Sequence, residues 1–149
     1  MKKVYPREEW CLGCKLCEVY CAAAHSRTGD LISAFKQEPK KPVSRIVVEG
    51  NTQHSIAISC RHCTAAPCVE SCITGAMQRR PDGSIGCDET RCVGCMTCVL
   101  VCPFGAVHKG EGNKTISKCD LCTERGTPTC VEHCPAFALV YQENEEGGR

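Results

Sequence analysis

Aromatic residues are scarce in this chain, with one Trp, three Tyr and three Phe among 149 residues. Long apolar runs are missing as well, and together these absences exclude a large conventional hydrophobic core. A chain this short with so little to bury needs staples, metals or a partner to stay folded. No segment approaches the length of a membrane span, so direct membrane insertion is not expected. The start, Met1-Lys2-Lys3-Val4-Tyr5-Pro6-Arg7, has two lysines but no apolar stretch behind them and no twin arginine. It reads as neither a secretory nor a Tat signal, which predicts a cytoplasmic protein. A reducing cytosol argues against disulfides. No catalytic nucleophile or acid–base pair stands out, and nothing points to a nucleic-acid partner. The chain therefore reads as non-catalytic.

What the sequence has instead is cysteine, 17 of them. Sixteen fall into four groups of four. The first is Cys11, Cys14, Cys17 and Cys21, with gaps of two, two and three residues. The second is Cys60, Cys63, Cys68 and Cys72, where the middle gap widens to four. The third is Cys92, Cys95, Cys98 and Cys102, again two, two and three, followed by Pro103. The fourth is Cys119, Cys122, Cys130 and Cys134, with a middle gap of seven and then Pro135. This internal repeat organises the rest of the chain.

A cubane 4Fe–4S cluster needs one thiolate at each of four iron corners. Two-residue gaps let three successive cysteines curl around one cluster, and in the bacterial two-cluster pattern the fourth serves the neighbouring cluster. The third group, from Cys92 to Pro103, matches that pattern position for position. The fourth cysteine is expected to open a short helix, with the proline in its first turn. Structural zinc, the main rival, uses paired C-x-x-C knuckles around a four-coordinate ion. The fourth group alone could pass for such a site, which would make the chain a zinc-bound interaction module. The first and third groups could not, because a third cysteine two residues on has no place in it. Spacing alone leaves open whether adjacent or nested groups exchange their fourth ligands. Four clusters are expected, and because the ligand cages do not exist in an unfolded chain, the apo form should be largely unfolded.

The formal charge of +1 counts every cysteine as neutral. Each oxidised cluster with four thiolates carries about −2, which would bring the loaded chain to about −7. Lys15, Arg61, Arg91, Lys118 and Arg125 lie beside the ligand loops and fit charge compensation as a set. Cys87, the odd cysteine, reads as a small buried hydrophobe in a strand entering the third loop. His62 and His133 sit beside ligands and suit supporting or surface roles. His25, His54 and His108 carry no signal.

Between the groups, the pattern predicts hairpins. Ile46-Val47-Val48 and Ser55-Ile56-Ala57-Ile58 flank Gly50-Asn51. Pro81-Asp82-Gly83 turns between residues 77–79 and 84–86, and residues 110–113 turn between 106–108 and 115–116. Residues 30–42 read as a surface insertion that could pack on a partner, and Glu143 to Arg149 as a polar, frayed end.

The four groups, together with Cys119-Asp120-Leu121-Cys122, resemble the four-cluster electron-transfer subunits of molybdopterin-type oxidoreductases. The resemblance runs from Glu9 to Tyr141. The N-terminal third looks most like the ferredoxin subunit associated with carbon monoxide dehydrogenase. That likeness lies in Cys11 to Val19, His25-Ser26, Ala34-Phe35-Lys36 and Val43 to Glu49. It implies an α+β fold of two bacterial-ferredoxin-like modules, short helices and β-hairpins around cubane clusters. Residues 1–29 with 103–149 would form one module and 43–102 the other. It also implies nested exchange, with Cys11, Cys14, Cys17 and Cys134 at one cluster and Cys119, Cys122, Cys130 and Cys21 at its neighbour. Cys60, Cys63, Cys68 and Cys102 would hold a third cluster, and Cys92, Cys95, Cys98 and Cys72 the last. The implied function is electron relay from a carbon monoxide dehydrogenase to a flavin NAD(P) oxidoreductase or a hydrogenase. A tungsten aldehyde oxidoreductase or formate dehydrogenase complex is the alternative setting. Ala22 and Ile73 depart from the pattern where the third and fourth groups have proline.

Overall fold

A computed structural model describes residues 1–51, 53–110, 112 and 114–143. The fold is a small α+β arrangement of five short helices and four two-stranded antiparallel sheets among these residues. The elements are β1 (Lys2–Pro6), α1 (Leu16–Ala24), α2 (Leu31–Lys36), β2 (Val47–Gly50), β3 (Ser55–Ile58), α3 (Pro67–Glu70), β4 (Met77–Arg79) and β5 (Ile85–Cys87). They continue with α4 (Thr97–Val101), β6 (Val107–Lys109), β7 (Ile116–Lys118), α5 (Thr129–Glu132) and β8 (Leu139–Glu143). Helices of four to nine residues do not hold themselves together in water, so packing and the cysteine loops must fix them.

Three of the sheets are the expected hairpins. In the first, Val47 pairs with Ile58 and Gly50 with Ser55. A side chain at Gly50 would run into the His54 carbonyl, so the turn excludes anything larger. In the second, Arg79 pairs with Ile85, and Asp82 accepts bonds from the Ser84 N–H (2.9 Å) and hydroxyl (2.7 Å) to hold the corner. In the third, Lys109 pairs with Ile116. Glu111 and Asn113 of its turn, and the tail from Asn144 onward, lie outside the described residues.

The fourth sheet joins the two ends of the chain. β1 and β8 pair antiparallel, with Val4 opposite Tyr141 and Pro6 opposite Leu139. Residues 30–42, read as a surface insertion, contain the helix α2. The Asp30 carboxylate caps α2 by accepting the Ser33 N–H at 2.8 Å, and Ala34 is buried where α2 meets α1. Glu38 ties the far end back by accepting from the Thr28 N–H and hydroxyl.

Helix contacts divide the fold in two. α1 packs on α5, and α3 packs on α4. One apolar cluster joins Val4, Ile46, Val48, Ala57 and Leu139 to Cys17, Cys21, Cys119 and Cys130; the other joins Ala66, Met77, Ile85, Val107 and Ile116 to Cys98. The β2–β3 hairpin thus packs with the chain ends, and the β6–β7 hairpin with the middle of the chain. Few large side chains take part, and cysteines belong to both clusters.

Candidate metal centres

Every cysteine group begins with the same backbone turn. The second residue after the first cysteine is left-handed in all four: Gly13 (φ 66°), His62 (45°), Gly94 (68°) and Leu121 (65°). Two groups use glycine there, where positive φ is free of side-chain clash, and two force a side chain into it. The turn aims backbone N–H groups inward. His62 N–H reaches the Cys60 sulfur and Leu121 N–H the Cys119 sulfur, both at 3.4 Å. The third cysteine of each group, Cys17, Cys68, Cys98 or Cys130, then sits in a helix.

The fourth cysteine does not open a helix in the second, third and fourth groups. It follows one. After it comes a tight turn in which Gly75, Gly105 and Phe137, all at positive φ, donate N–H bonds to the carbonyls of Cys72, Cys102 and Cys134. Pro103 and Pro135 are corner residues of these turns, where fixed φ is an advantage and a missing N–H stops the preceding helix. The chain then returns an N–H to each sulfur, from Met77 to Cys72 (3.4 Å), Ala106 to Cys102 (3.4 Å) and Ala138 to Cys134 (3.2 Å). Ile73 takes the proline's place without changing the turn. At Ala22 the consequence is real: α1 runs on to Ala24, Cys21 stays inside the helix, and its sulfur takes an N–H from Arg45 at 3.3 Å.

The thiols gather three from one group and one from another. Cys11, Cys14 and Cys17 share a cavity with Cys134. Cys60, Cys63 and Cys68 share one with Cys102. Cys92, Cys95 and Cys98 share one with Cys72, and Cys87 lines that cavity too. Cys130 is buried, with Cys119, Cys21, Cys122 and then Cys17 close enough to influence its charge, and it shares the first apolar cluster with Cys119 and Cys21. All seventeen thiols are free. Four convergent sulfurs, each set carrying inward N–H donors, suit a thiolate-ligated cluster.

Burial makes five of the ligand-group thiols reluctant to ionise on their own. It pushes Cys17 and Cys119 up to about 12 and Cys98 up to about 11, and Cys130 higher still. Iron must therefore supply the free energy of deprotonation, which couples metal loading to folding. Three ligand-group cysteines are lowered instead. At Cys72, burial is outweighed by bonds from the Met77 N–H and Thr74; at Cys95, bonds from Thr97 act; at Cys122, burial is outweighed by His25 and the Thr129 N–H. Cys87 is pushed up to about 12 by burial and by neighbouring Cys92, and so stays a neutral thiol.

One polar grouping beside the thiols carries no local signature in the sequence. His25 donates through Nδ1 to the Cys21 carbonyl (2.8 Å), while Nε2 meets the Asp120 carboxylate (3.1 Å), which also holds Arg45. Burial opposes charge on His25, but its bonds to Asp120, Cys122 and Cys21 prevail and push it up to about 12. The contact spans 95 residues, so no local pattern could announce it. His62 is buried and accepts the Ile85 N–H through Nδ1 at 2.9 Å. Burial, then the Lys118 and Lys3 ammoniums, push it down to about 3, so it is neutral. His133 stacks on Tyr20 with ring centroids 3.7 Å apart.

Two of the sets open to the surface. Cys14 and Cys95 are exposed, the first beside Leu12 and the second beside Val93, and both apolar neighbours are solvent-facing. Among the described residues, no helix is long and apolar enough to cross a membrane.

Comparison with known proteins agrees with this chemistry. Residues 53–144, which hold the second, third and fourth groups, match the 4Fe-4S dicluster domain. The putative electron transport protein YsaA of Escherichia coli K12 is 40% identical over 139 residues, covering 91% of this chain and 86% of YsaA. The putative oxidoreductase AegA of the same organism is 39% identical over 91% of this chain, which spans only 21% of AegA. One polypeptide of its anaerobic dimethyl sulfoxide reductase is 33% identical, covering 91% of this chain and 70% of that polypeptide. Among solved structures, a polypeptide of the benzoyl coenzyme A reductase active-site complex BamBC superposes with a TM-score of 0.52 at 21% identity. That alignment covers 97% of this chain and 80% of the other, and it supports the fold. The chain belongs to the 4Fe–4S dicluster domain family of ferredoxin-like electron-transfer proteins.

Proposed function

We propose that the chain is a non-catalytic relay carrying single electrons through four 4Fe–4S clusters, between a catalytic oxidoreductase subunit and an acceptor protein. The observation that supports this reading is the three-plus-one gathering of twelve thiols around three cavities, with Cys119, Cys130 and Cys21 buried together beside them. Each cluster supplies a one-electron couple when bound, and that chemistry belongs to the cofactor. On this assignment Cys11, Cys14, Cys17 and Cys134 hold one outer cluster, and Cys92, Cys95, Cys98 and Cys72 the other. Cys119, Cys122, Cys130 and Cys21 hold one inner cluster, and Cys60, Cys63, Cys68 and Cys102 the second. The chain's own residues orient the thiolates, donate N–H groups to sulfur and keep water from the inner pair. Such donors and nearby cations set potentials.

Shared elements support one order for the relay. α1 and α5 each carry or adjoin ligands of the first outer and inner sites, and α3 and α4 do the same for the other two. The inner sites meet where Cys60 lies close enough to Cys119 to influence its charge. Two modules result, one on groups one and four and one on groups two and three, each completing its core with a hairpin from the other stretch.

For the donor we favour a carbon monoxide dehydrogenase, on the resemblance in the N-terminal third, with a flavin NAD(P) oxidoreductase or hydrogenase as acceptor. A tungsten aldehyde oxidoreductase or formate dehydrogenase complex is the competing setting. That AegA carries a similar stretch within a much longer oxidoreductase supports a catalytic partner of some kind. Anaerobic copurification of the tagged chain from its native cells tests the reading. Recovery with a nickel–iron dehydrogenase supports it; recovery with a tungsten enzyme overturns the choice of donor.

A further inference from the structure

Lys118 is buried, with 5% of its surface exposed, and no other Lys, Arg, Asp or Glu among the described residues is buried to that degree. Its ammonium donates to two backbone carbonyls, those of Ile85 and Cys119 (2.8 Å to the latter). Among the described residues no carboxylate lies within 4.0 Å of it. Two carbonyls satisfy hydrogen bonds but not charge, and an uncompensated buried cation is costly. The compensating charge has to come from something else in its surroundings.

Two of the thiol sets provide it. Lys118 ends β7 and precedes Cys119, the first thiol of one inner set. It also donates to Ile85, which lines the cavity of Cys60, Cys63, Cys68 and Cys102, the other inner set. The seam it occupies is braced from both sides: the Ile85 carbonyl accepts from Lys118 and the Ile85 N–H donates to His62 in the second ligand loop. β5 and β7 touch within one half of the fold, and the lysine reaches both halves by donating to Ile85 of the second apolar cluster and Cys119 of the first.

We propose that Lys118 is a positioning residue for electron transfer, a fixed charge that holds the reduction potentials of both inner clusters up together. The inference rests on the four-cluster reading above. Adding an electron to an anionic cluster is favoured by a nearby cation, more so where water is excluded. A single cation between two clusters acts on both, so the electron crosses between the halves without a large step in potential. The outer sets lie beyond the inner ones and feel it less.

The test uses the full-length protein, purified anaerobically with its clusters, and potentiometric titration followed by electron paramagnetic resonance. Iron content of the wild type comes first: fewer than four clusters refutes the relay reading itself. With four present, Lys118→Gln keeps hydrogen-bond donors for the two carbonyls but removes the charge, Lys118→Met removes both, and Lys118→Arg keeps the charge. Cys63→Ala and Cys122→Ala mark which signals belong to the inner pair. Expected is at least a tenfold fall in the reduction equilibrium constant of both inner clusters, about 59 mV each. It should appear in Lys118→Gln and Lys118→Met alike, be smaller at the outer clusters, and be largely absent in Lys118→Arg. Unchanged potentials in Lys118→Gln, an equal shift at all four clusters, or a shift in Met but not Gln would overturn the proposal. Loss of clusters from Lys118→Gln would overturn it too, by making the residue a structural tie.

Discussion

Exchange of the fourth ligand can be tested by counting iron in paired cysteine variants. Cys14 and Cys134 line one cavity, although 119 positions in the sequence hold them apart and Cys134 belongs by spacing to the group of Cys119. Removing one thiolate from a cubane exposes one iron corner, and the usual result is loss of that iron to leave a three-iron cluster. From about 16 iron per chain, Cys134→Ala alone should retain about 15. Cys14→Ala/Cys134→Ala strips two corners from one cluster, which should be lost whole, leaving about 12 iron and three intact clusters. Cys122→Ala/Cys134→Ala strips one corner from each of two clusters, leaving about 14 iron and two three-iron signals. Cys14 is exposed, so its substitution disturbs little packing, and the contrast between the doubles reports shared ligation through their non-additivity. Iron analysis with electron paramagnetic resonance of the oxidised protein reads both quantities. If the 12-iron result appears in the Cys122 double and the 14-iron result in the Cys14 double, the thiols pair within groups and the nested assignment is wrong.

Three further outcomes are expected. Gly94→Val places a β-branched residue at φ 68° and should cost about 1–2 kcal/mol, seen as a lower midpoint of thermal bleaching, while Gly94→Asn should cost much less. Asp120→Asn leaves His25 and Arg45 without their shared carboxylate and should destabilise the loaded protein by about 1–3 kcal/mol in urea unfolding; equal midpoints would show the network to be idle. Removing iron with an anaerobic chelator should abolish most far-ultraviolet circular dichroism, because the apolar clusters are small and built partly from cysteines; an apo form with native dichroism would contradict this.

The parts of the fold legible in the sequence are those written in local chemistry. Gly50-Asn51 and Pro81-Asp82-Gly83 announce hairpins because their turns need the backbone freedom or preset angles those residues provide. The cysteine spacing shows where ligand loops lie, since the left-handed turn repeats two residues after each first cysteine. The β1–β8 pair is not legible, because its register joins the two ends of the chain and depends on everything folded between. α2 carries a readable signal, Asp30 three residues before Ser33, masked by the prolines and lysines that follow it. Pro103 and Pro135 suggest helix starts but occupy turns, because the same fixed φ serves the first turn of a helix and the corner of a tight turn. Lys118 is legible as a cation near a ligand loop, but its burial between β5 and the Cys119 carbonyl is a tertiary fact. So is the meeting of His25 with Asp120.

The central claim is that this chain folds around four cubane clusters, and the most direct measurement is metal and sulfide analysis with Mössbauer spectroscopy on protein purified without oxygen. The account predicts about 16 iron and as many sulfides per chain, all in 4Fe–4S environments, bleached by dithionite. About 8 iron, or a colourless chain holding stoichiometric zinc, would contradict it.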